Sequence, residues 1–198
     1  MSLDITVYTK QLSDDYIPKI VKRLNDFEMV CEAHPDFSFN DQTVFLPFKF
    51  RLTNPPFPIL KDKELITGFE LYISDFDLED EKQKAKPKQG FIDKLLGKKQ
   101  PDNPLFTADI DNRLTDCKKM VSFVWHVADS FELRFASLAS AILTELTDGV
   151  CTYQADDIWY DNENFVEKTW QEIKDYETTL LKERDLKFHE FKGWDNSF

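Results

Sequence analysis

The stretch Val121–Val150, VSFVWHVADSFELRFASLASAILTELTDGV, decides the fold class. Val121, Phe123 and Trp125 alternate with smaller or polar residues, the period of a strand with one buried face. His126 falls on the other side of that alternation. From Phe131 the period changes: Phe131, Phe135, Leu138, Ala139, Ile142, Leu143 and Leu146 recur at helical spacing. Leu133, Ala136 and Ala141 leave the opposite helix face nearly uncharged, so this helix is expected at the buried centre of the domain. Asp129 followed three residues later by Glu132 predicts a capping box at its start. Gly149 is the expected left-handed residue at its end.

Working outward, Leu3, Ile5 and Val7 read as a first strand, and a helix starting at Asp15 takes Pro18 into its first turn. Met29, Cys31 and Ala33 mark a second strand. Val44, Leu46, Phe48, Phe50 and Leu52 share one face of a third, in which Pro47 predicts an edge or a bulge. Asn54–Pro58 is a stiff loop, and Phe69, Leu71 and Ile73 mark a fourth strand. Beyond the central helix, Val150–Tyr153 and Ile158–Tyr160 supply a further strand or hairpin. A long amphipathic helix follows from about Glu163 to about Lys187, with Val166, Trp170, Ile173, Leu180 and Leu181 inward. This order predicts an α+β, two-layer domain over residues 1–198. Its mixed, mostly antiparallel sheet of about six strands is covered by three main helices.

The 198 residues carry 37 acidic and 25 basic side chains, a formal net charge of −12. A nucleic-acid backbone is therefore not expected as a partner. The charge is uneven. Between Lys82 and Gln100 seven Lys and one Asp give +6, so the other 179 residues carry −18. With Pro87, Pro101 and Pro104 nearby, residues 82–104 read as a basic, mobile insertion. Phe91, Ile92, Leu95 and Leu96 give that insertion an apolar side, which suggests weak association with an anionic membrane surface or docking on the chain's own acidic body. No secretory signal or membrane span is legible. Cys31, Cys117 and Cys151 form no disulfide framework, so a cytoplasmic location is expected.

Several chemistries lack their signature. The five glycines show no GxGxxG spacing, and Gly90 and Gly97 are separated by six residues rather than the four of a phosphate loop. No serine sits in a GxSxG elbow. His34, His126 and His189 are far apart and no CxxC occurs, so neither metal nor cofactor is expected. A Cys–His pair that meets only in the fold stays open. The acidic run Asp75–Glu81 fails as a calcium loop and reads as a solvated strand end. Asp156, Asp157, Asp161 and Glu163 suit the start of the last helix. The candidate binding residues are Glu132 and Arg134 at the mouth of the central helix, with His126 nearby. Arg134, if buried, requires a partner. Phe188, Phe191, Trp194 and Phe198 form an aromatic tail that either docks on the chain's own sheet or, through Phe191 and Trp194, joins a homodimer or partner.

Phe131–Ala141, Glu145-Leu-Thr-Asp-Gly-Val150 and Ile158-Trp-Tyr-Asp161 resemble segments of a family of small uncharacterised bacterial proteins. There a buried, alanine-rich helix ends in a Leu-Thr-Gly-Gly-Val-like turn and enters a strand; here Asp148 replaces the first glycine. The resemblance implies a bacterial cytoplasmic protein and carries no catalytic residues. The leading expectation is a non-enzymatic, acidic binding protein with an unknown, basic protein partner, immunity- or adaptor-like by analogy of charge and size. The alternatives are a small-ligand binder or hydrolase using a carboxylate/His pocket, and weak membrane-surface association through the insertion.

Overall fold

The computed structural model describes residues 3–85, 105–126, 128–160 and 163–194. Its eight strands form one sheet: β1 (Leu3–Thr9), β2 (Met29–Ala33), β3 (Thr43–Leu52), β4 (Leu65–Asp75), β5 (Lys119–Trp125), β6 (Val150–Tyr153), β7 (Ile158–Trp159) and β8 (His189–Glu190). The order is β2-β3-β4-β5-β1-β6-β7, and β8 pairs with the start of β4. Every pairing among the described residues is antiparallel. The helices are α1 (Ile17–Leu24), α2 (Leu78–Ala85), α3 (Ala108–Leu114), α4 (Glu132–Thr147) and α5 (Phe165–Thr179). The architecture is α+β, and the sheet is antiparallel throughout rather than mixed.

α4 is enclosed as its composition requires. It packs on β1, β4, β5 and β6, while α1 and α5 pack on α4 from other sides. The helical layer is therefore two helices deep around α4. Ala136, Ala139, Ala141, Ser137 and Ser140 are all buried and let backbones come close. The buried hydroxyls are satisfied within the helix: Ser140 donates to the Ser137 carbonyl, Thr144 to Ser140 and Thr147 to Leu143. Beneath α4, Phe48, Phe50, Phe69, Phe123, Phe131 and Phe135 form one aromatic core. Phe135 lies 4.9 Å from Phe48 and 4.8 Å from Phe50 between ring centroids. Burying each such side chain stabilises the fold by roughly 1.5–3 kcal/mol.

Pro47 sits in an interior strand and not in a bulge, but at a local edge, one residue past the last β2–β3 pair, Ala33 with Phe48. It is tolerated because β2 ends at Ala33, beside it. The Pro47 carbonyl accepts from His34 N–H, and the His34 carbonyl, which Pro47 cannot serve, accepts from Phe37 N–H. The free edge of β2 is partly closed as well, since Asn25 Oδ1 accepts from Cys31 N–H at 2.7 Å.

Other boundaries differ from expectation. α4 begins at Glu132, with Phe131 as its N-terminal flanking residue. Asp129 Oδ1 still accepts from Phe131 and Glu132 N–H, but Glu132 reaches back to His126 and Ala128 rather than to Asp129. At the other end Asp148 is left-handed (φ 49°, ψ 44°), not Gly149. Gly149 answers a different constraint, since a Cβ there would lie 2.6 Å from the Tyr8 carbonyl oxygen. α5 stops at Thr179 rather than near Lys187, and Leu180 is 68% exposed rather than inward. The inward stripe of α5 runs Val166, Ile173, Glu177 instead. Lys82 belongs to α2 and not to a mobile insertion; residues 86–104 lie outside the described residues. The run Asp75–Glu81 does begin at a strand end, since Asp75 closes β4, but it leads into α2 rather than a loop, with Asp77 Oδ1 accepting from Glu79 and Asp80 N–H.

Gly149→Ala is expected to lower unfolding free energy by about 1–3 kcal/mol, because the methyl group meets backbone that must shift. Asp148→Gly, which relieves a left-handed residue, should stay within about 1 kcal/mol of the wild type. Urea midpoints check both, and the reverse order would contradict the assignment of the two roles.

Candidate functional site

The sheet face turned away from α4 carries the second side of each strand's alternation. Tyr8 on β1 opposes Met120 on β5 and Val150 on β6, while Thr152 opposes Trp159 on β7. α2 and α3 lie over one end of this face through a smaller apolar cluster of Tyr8, Phe76, Leu78, Ile110, Leu114, Cys117 and Val150. Both helices have side-chain caps or clamps. Thr107 caps α3 by accepting from Ile110 N–H, and buried Asp111 accepts from Leu105 and Phe106 N–H and pairs with Lys82 at 3.3 Å. Hydrogen bonds from those two N–H groups, with Lys82 beside it, hold the Asp111 carboxyl below its ordinary range against the opposing effect of burial.

Between α2, the segment leading into α3, and β6–β7 opens a cleft of about 690 Å³. Its apolar lining is Tyr8, Phe76, Leu105, Phe106, Met120 and Trp159. Polar side chains include Asp75, Glu81, Asp157, Gln154 and Lys84. The rings form a chain of contacts. Phe76 meets Tyr8 edge-on at 4.7 Å, Tyr8 lies near-parallel to Trp159 (6.2 Å, 20°), and Phe106 meets Trp159 edge-on at 4.6 Å. Gln154 donates to the Tyr8 hydroxyl at 3.2 Å, and Trp159 Nε1–H donates to Asp157 Oδ1 at 3.4 Å. Burial raises the Tyr8 phenol above its usual pKa, so it is a neutral hydrogen-bonding group. Asp157 holds a left-handed turn (φ 54°), a conformation Asp tolerates better than most residues. Lys119 meets Asp75 Oδ1 and Lys84 meets Glu81 Oε1, each at 2.6 Å. Of the three lining carboxylates, Asp75 and Glu81 are thus ion-paired, whereas Asp157 has no ion pair among the described residues.

None of the five candidate binding residues lines this cleft, although Asp75 and Glu81 of the first acidic run and Asp157 of the second do, and the three expected to share a pocket point to three places. His126 is exposed on the outer sheet face, with Nε2 3.6 Å from Glu70 Oε1. Glu132 is buried, and its Oε2 accepts from the backbone N–H of His126 and Ala128, closing the β5–α4 elbow. Arg134 is 2% exposed and runs between α4 and α5. There Nε and Nη2 donate to the two carboxylate oxygens of Glu177 at 2.8 and 2.5 Å, and the guanidinium carbon lies 5.0 Å from the Trp170 ring. Nη1 has no hydrogen-bond partner among the described residues. Lys174 extends the cluster to Glu28 at 2.7 Å.

Phe191 and Trp194 are half-buried against the chain's own sheet. Phe191 N–H donates to the Glu64 carbonyl, Lys49 lies 5.2 Å from the Phe191 ring, and Trp194 meets His34 edge-on at 4.9 Å. Phe198 and Asp161 lie outside the described residues. The membrane reading of 82–104 rests on residues outside them too, while Lys82 and Lys84 are paired with acids of α2 and α3.

Sequence reasoning passed over Asp129 as more than a cap. It is buried, and Thr67 on β4 donates to its Oδ2 at 2.7 Å while Phe131 and Glu132 N–H meet Oδ1. Burial pushes its carboxyl up to about 6, against the pull of those hydrogen bonds. It also missed Glu177, although its position four residues after Ile173 places it on the inward stripe. Burial raises the thiols of Cys31 to about 12, Cys117 to about 11 and Cys151 to about 12, so none is a ready thiolate nucleophile. Among the described residues no group of three or more His, Cys, Asp or Glu is arranged to hold a metal ion. No helix of the described residues is long and apolar enough to cross a membrane. No family model, curated protein or solved structure matches the chain.

Glu177→Ala should lower stability by about 3–5 kcal/mol, because it leaves a buried guanidinium without its counter-charge. The double substitution of Arg134→Met with Glu177→Leu should be less damaging than that single change in denaturant titrations. Asp129 gives a pH signature. Its folded pKa of about 6 lies above the ordinary carboxyl value of 3.8, so the folded state holds the proton more tightly. Its contribution is therefore fully present below pH about 4 and is lost as pH rises through about 6. The stability of the wild type minus that of Asp129→Asn should decline across that window and level off above it. A flat difference would refute the assignment.

Proposed function

We propose that the protein is a non-enzymatic interaction protein that recognises a protein partner with a basic face through the cleft beside Tyr8 and Trp159. The observation that carries this reading is the composition of that cleft: four aromatic rings, and an Asp157 carboxylate that has no ion pair among the described residues, beside Asp75 and Glu81, which are paired with Lys119 and Lys84. Aromatic side chains in a concavity are the usual anchors of binding surfaces, and a carboxylate-rich mouth favours cationic groups while disfavouring phosphates. The net charge of −12 acts in the same direction over longer range, steering a basic partner towards the protein. The polar groups first considered for chemistry have structural engagements instead: Arg134 with Glu177, and Glu132 with backbone N–H groups. No specific observation favours the membrane or hydrolase reading over this one.

The test is affinity capture from cell extract on immobilised wild type, Trp159→Ala and Asp157→Asn, at low and high salt, with each variant's fold checked by circular dichroism. A basic protein retained by the wild type at low salt, weakened by both substitutions and released by salt, is the expected result. Equal retention by all three proteins, or no specific retention by any, would overturn the reading.

A further inference from the structure

Resting on the reading of the cleft as a binding site, we propose that its ligand is a guanidinium group, the side chain of an exposed arginine on the partner, laid against the Trp159 ring with Asp157 as its counter-charge. The chain itself contains the matching arrangement. Inside the protein, Arg134 lies 5.0 Å from the Trp170 ring and is held through two nitrogens by the Glu177 carboxylate. The cleft repeats two of those three parts, a tryptophan and a carboxylate, and its one lining cation, Lys84, is paired with Glu81 rather than set over Trp159. Elsewhere Lys or Arg lies over Tyr16, Phe27, Phe188 and Phe191. Among the described residues none lies over Tyr8, Phe106 or Trp159, the rings that face the cleft.

The chemistry selects guanidinium over ammonium. A guanidinium is planar, more weakly hydrated than an ammonium, stacks on aromatic faces and bonds carboxylates through parallel N–H groups. Trp159 is half-exposed and offers the largest ring of the cleft, with the Asp157 carboxylate held at its Nε1 edge. On the α2 side Asp75 is already paired with Lys119 and Glu81 with Lys84, which leaves Asp157 as the lining carboxylate without an ion pair among the described residues. The volume of about 690 Å³ falls in the usual range for ligand pockets, roughly 300–1,000 Å³, and accommodates residues flanking the arginine. The cleft floor is anchored, because Tyr8 is buried in the central part of the sheet and held by Gln154. Little ordering is therefore needed on binding.

The experiment titrates the full ¹⁵N-labelled protein with an acetylated tri-arginine amide and, separately, with its neutral isostere tri-citrulline. The readout is the indole N–H resonances of Trp125, Trp159, Trp170 and Trp194, with Trp159 assigned from Trp159→Phe. Tri-arginine should shift the Trp159 indole saturably and leave the other three in place. Asp157→Asn, which keeps a residue tolerant of the left-handed turn, should weaken binding about threefold to tenfold, and added salt should weaken it further. Tri-citrulline shifting Trp159 equally would overturn the cationic ligand while leaving the cleft as a binding site. Shifts spread over all four indoles would mean general attraction to an acidic surface, and would overturn the site. A cleft silent to both peptides also overturns this inference, and the capture experiment above then decides the binding reading on its own.

Discussion

The pairing of Arg134 with Glu177 constrains how the helical layer is built. Arg134 is among the largest fully buried side chains, on the helix that the sheet, α1 and α5 all surround. An ionised guanidinium in that setting is tolerable only with a counter-charge in good geometry. α5 must therefore lie where Glu177 meets both nitrogens and Trp170 meets the guanidinium face, which fixes its rotation and its axial position on α4. Lys174, on the same stretch of α5, then reaches Glu28 just before β2. Arg23 does the same work at the surface, where its three nitrogens meet Asp26, Glu145 and Glu167 and so link α1, α4 and α5. Exposed pairs of that kind contribute little individually. The buried pair specifies and the exposed ones follow.

The sheet has a comparable organiser in β4. It is the longest strand, at eleven residues. β3 runs along one side, and β5 and β8 divide the other, β5 taking Glu70–Asp75 and β8 taking Leu65–Ile66. The same strand supplies Thr67 to the Asp129 carboxylate, which organises the entry to α4. Beside Asp129, Ser130 exchanges two hydrogen bonds with Lys187, so the tail is tied to the β5–α4 elbow before it pairs with β4. The C-terminal aromatics thus reach the outer face along a route fixed by backbone hydrogen bonds, and they cover sheet that would otherwise be bare.

What was legible in the sequence follows from how local the determinants were. The period-two runs at Leu3–Val7, Val44–Leu52 and Val121–Trp125 and the helical stripe from Phe131 locate most of the core, because burial on one face writes a period directly into the chain. The need of Arg134 for a partner was also legible. The identity of that partner was not, since Glu177 lies forty-three positions away in a helix whose inward stripe reads more naturally through Leu180. α2 and α3 were hidden because they carry no apolar stripe like that of the similarly short α1: α2 buries only Leu78, and α3 only Ile110 and Leu114 beside Asp111. β8 is two residues long and is created by its pairing with β4. The cleft was least legible of all. Tyr8, Phe106 and Trp159 come from three distant segments, and each looks in sequence like an ordinary core or loop aromatic.

The strand alternation that makes the core also fixes the cleft. On β1, Val7 faces α4 and is fully buried, while the next residue, Tyr8, faces the other way into the cleft. The same holds on β5, where Val121 is a core residue and Met120 lines the cleft, and on β6 for Cys151 and Thr152. Floor and core are therefore successive residues of the same three paired strands, and neither moves without the other. The walls are different: they come from α2, from Leu105 and Phe106 ahead of α3, and from Gln154, Asp157 and Trp159 around β7, all peripheral to the core. Substitution at wall positions such as Glu81, Lys84 and Asp157 therefore leaves the core untouched. The specificity of such a cleft resides in the charge of Asp157, and its affinity in rings that floor and walls share, Tyr8 from the one and Phe106 and Trp159 from the other.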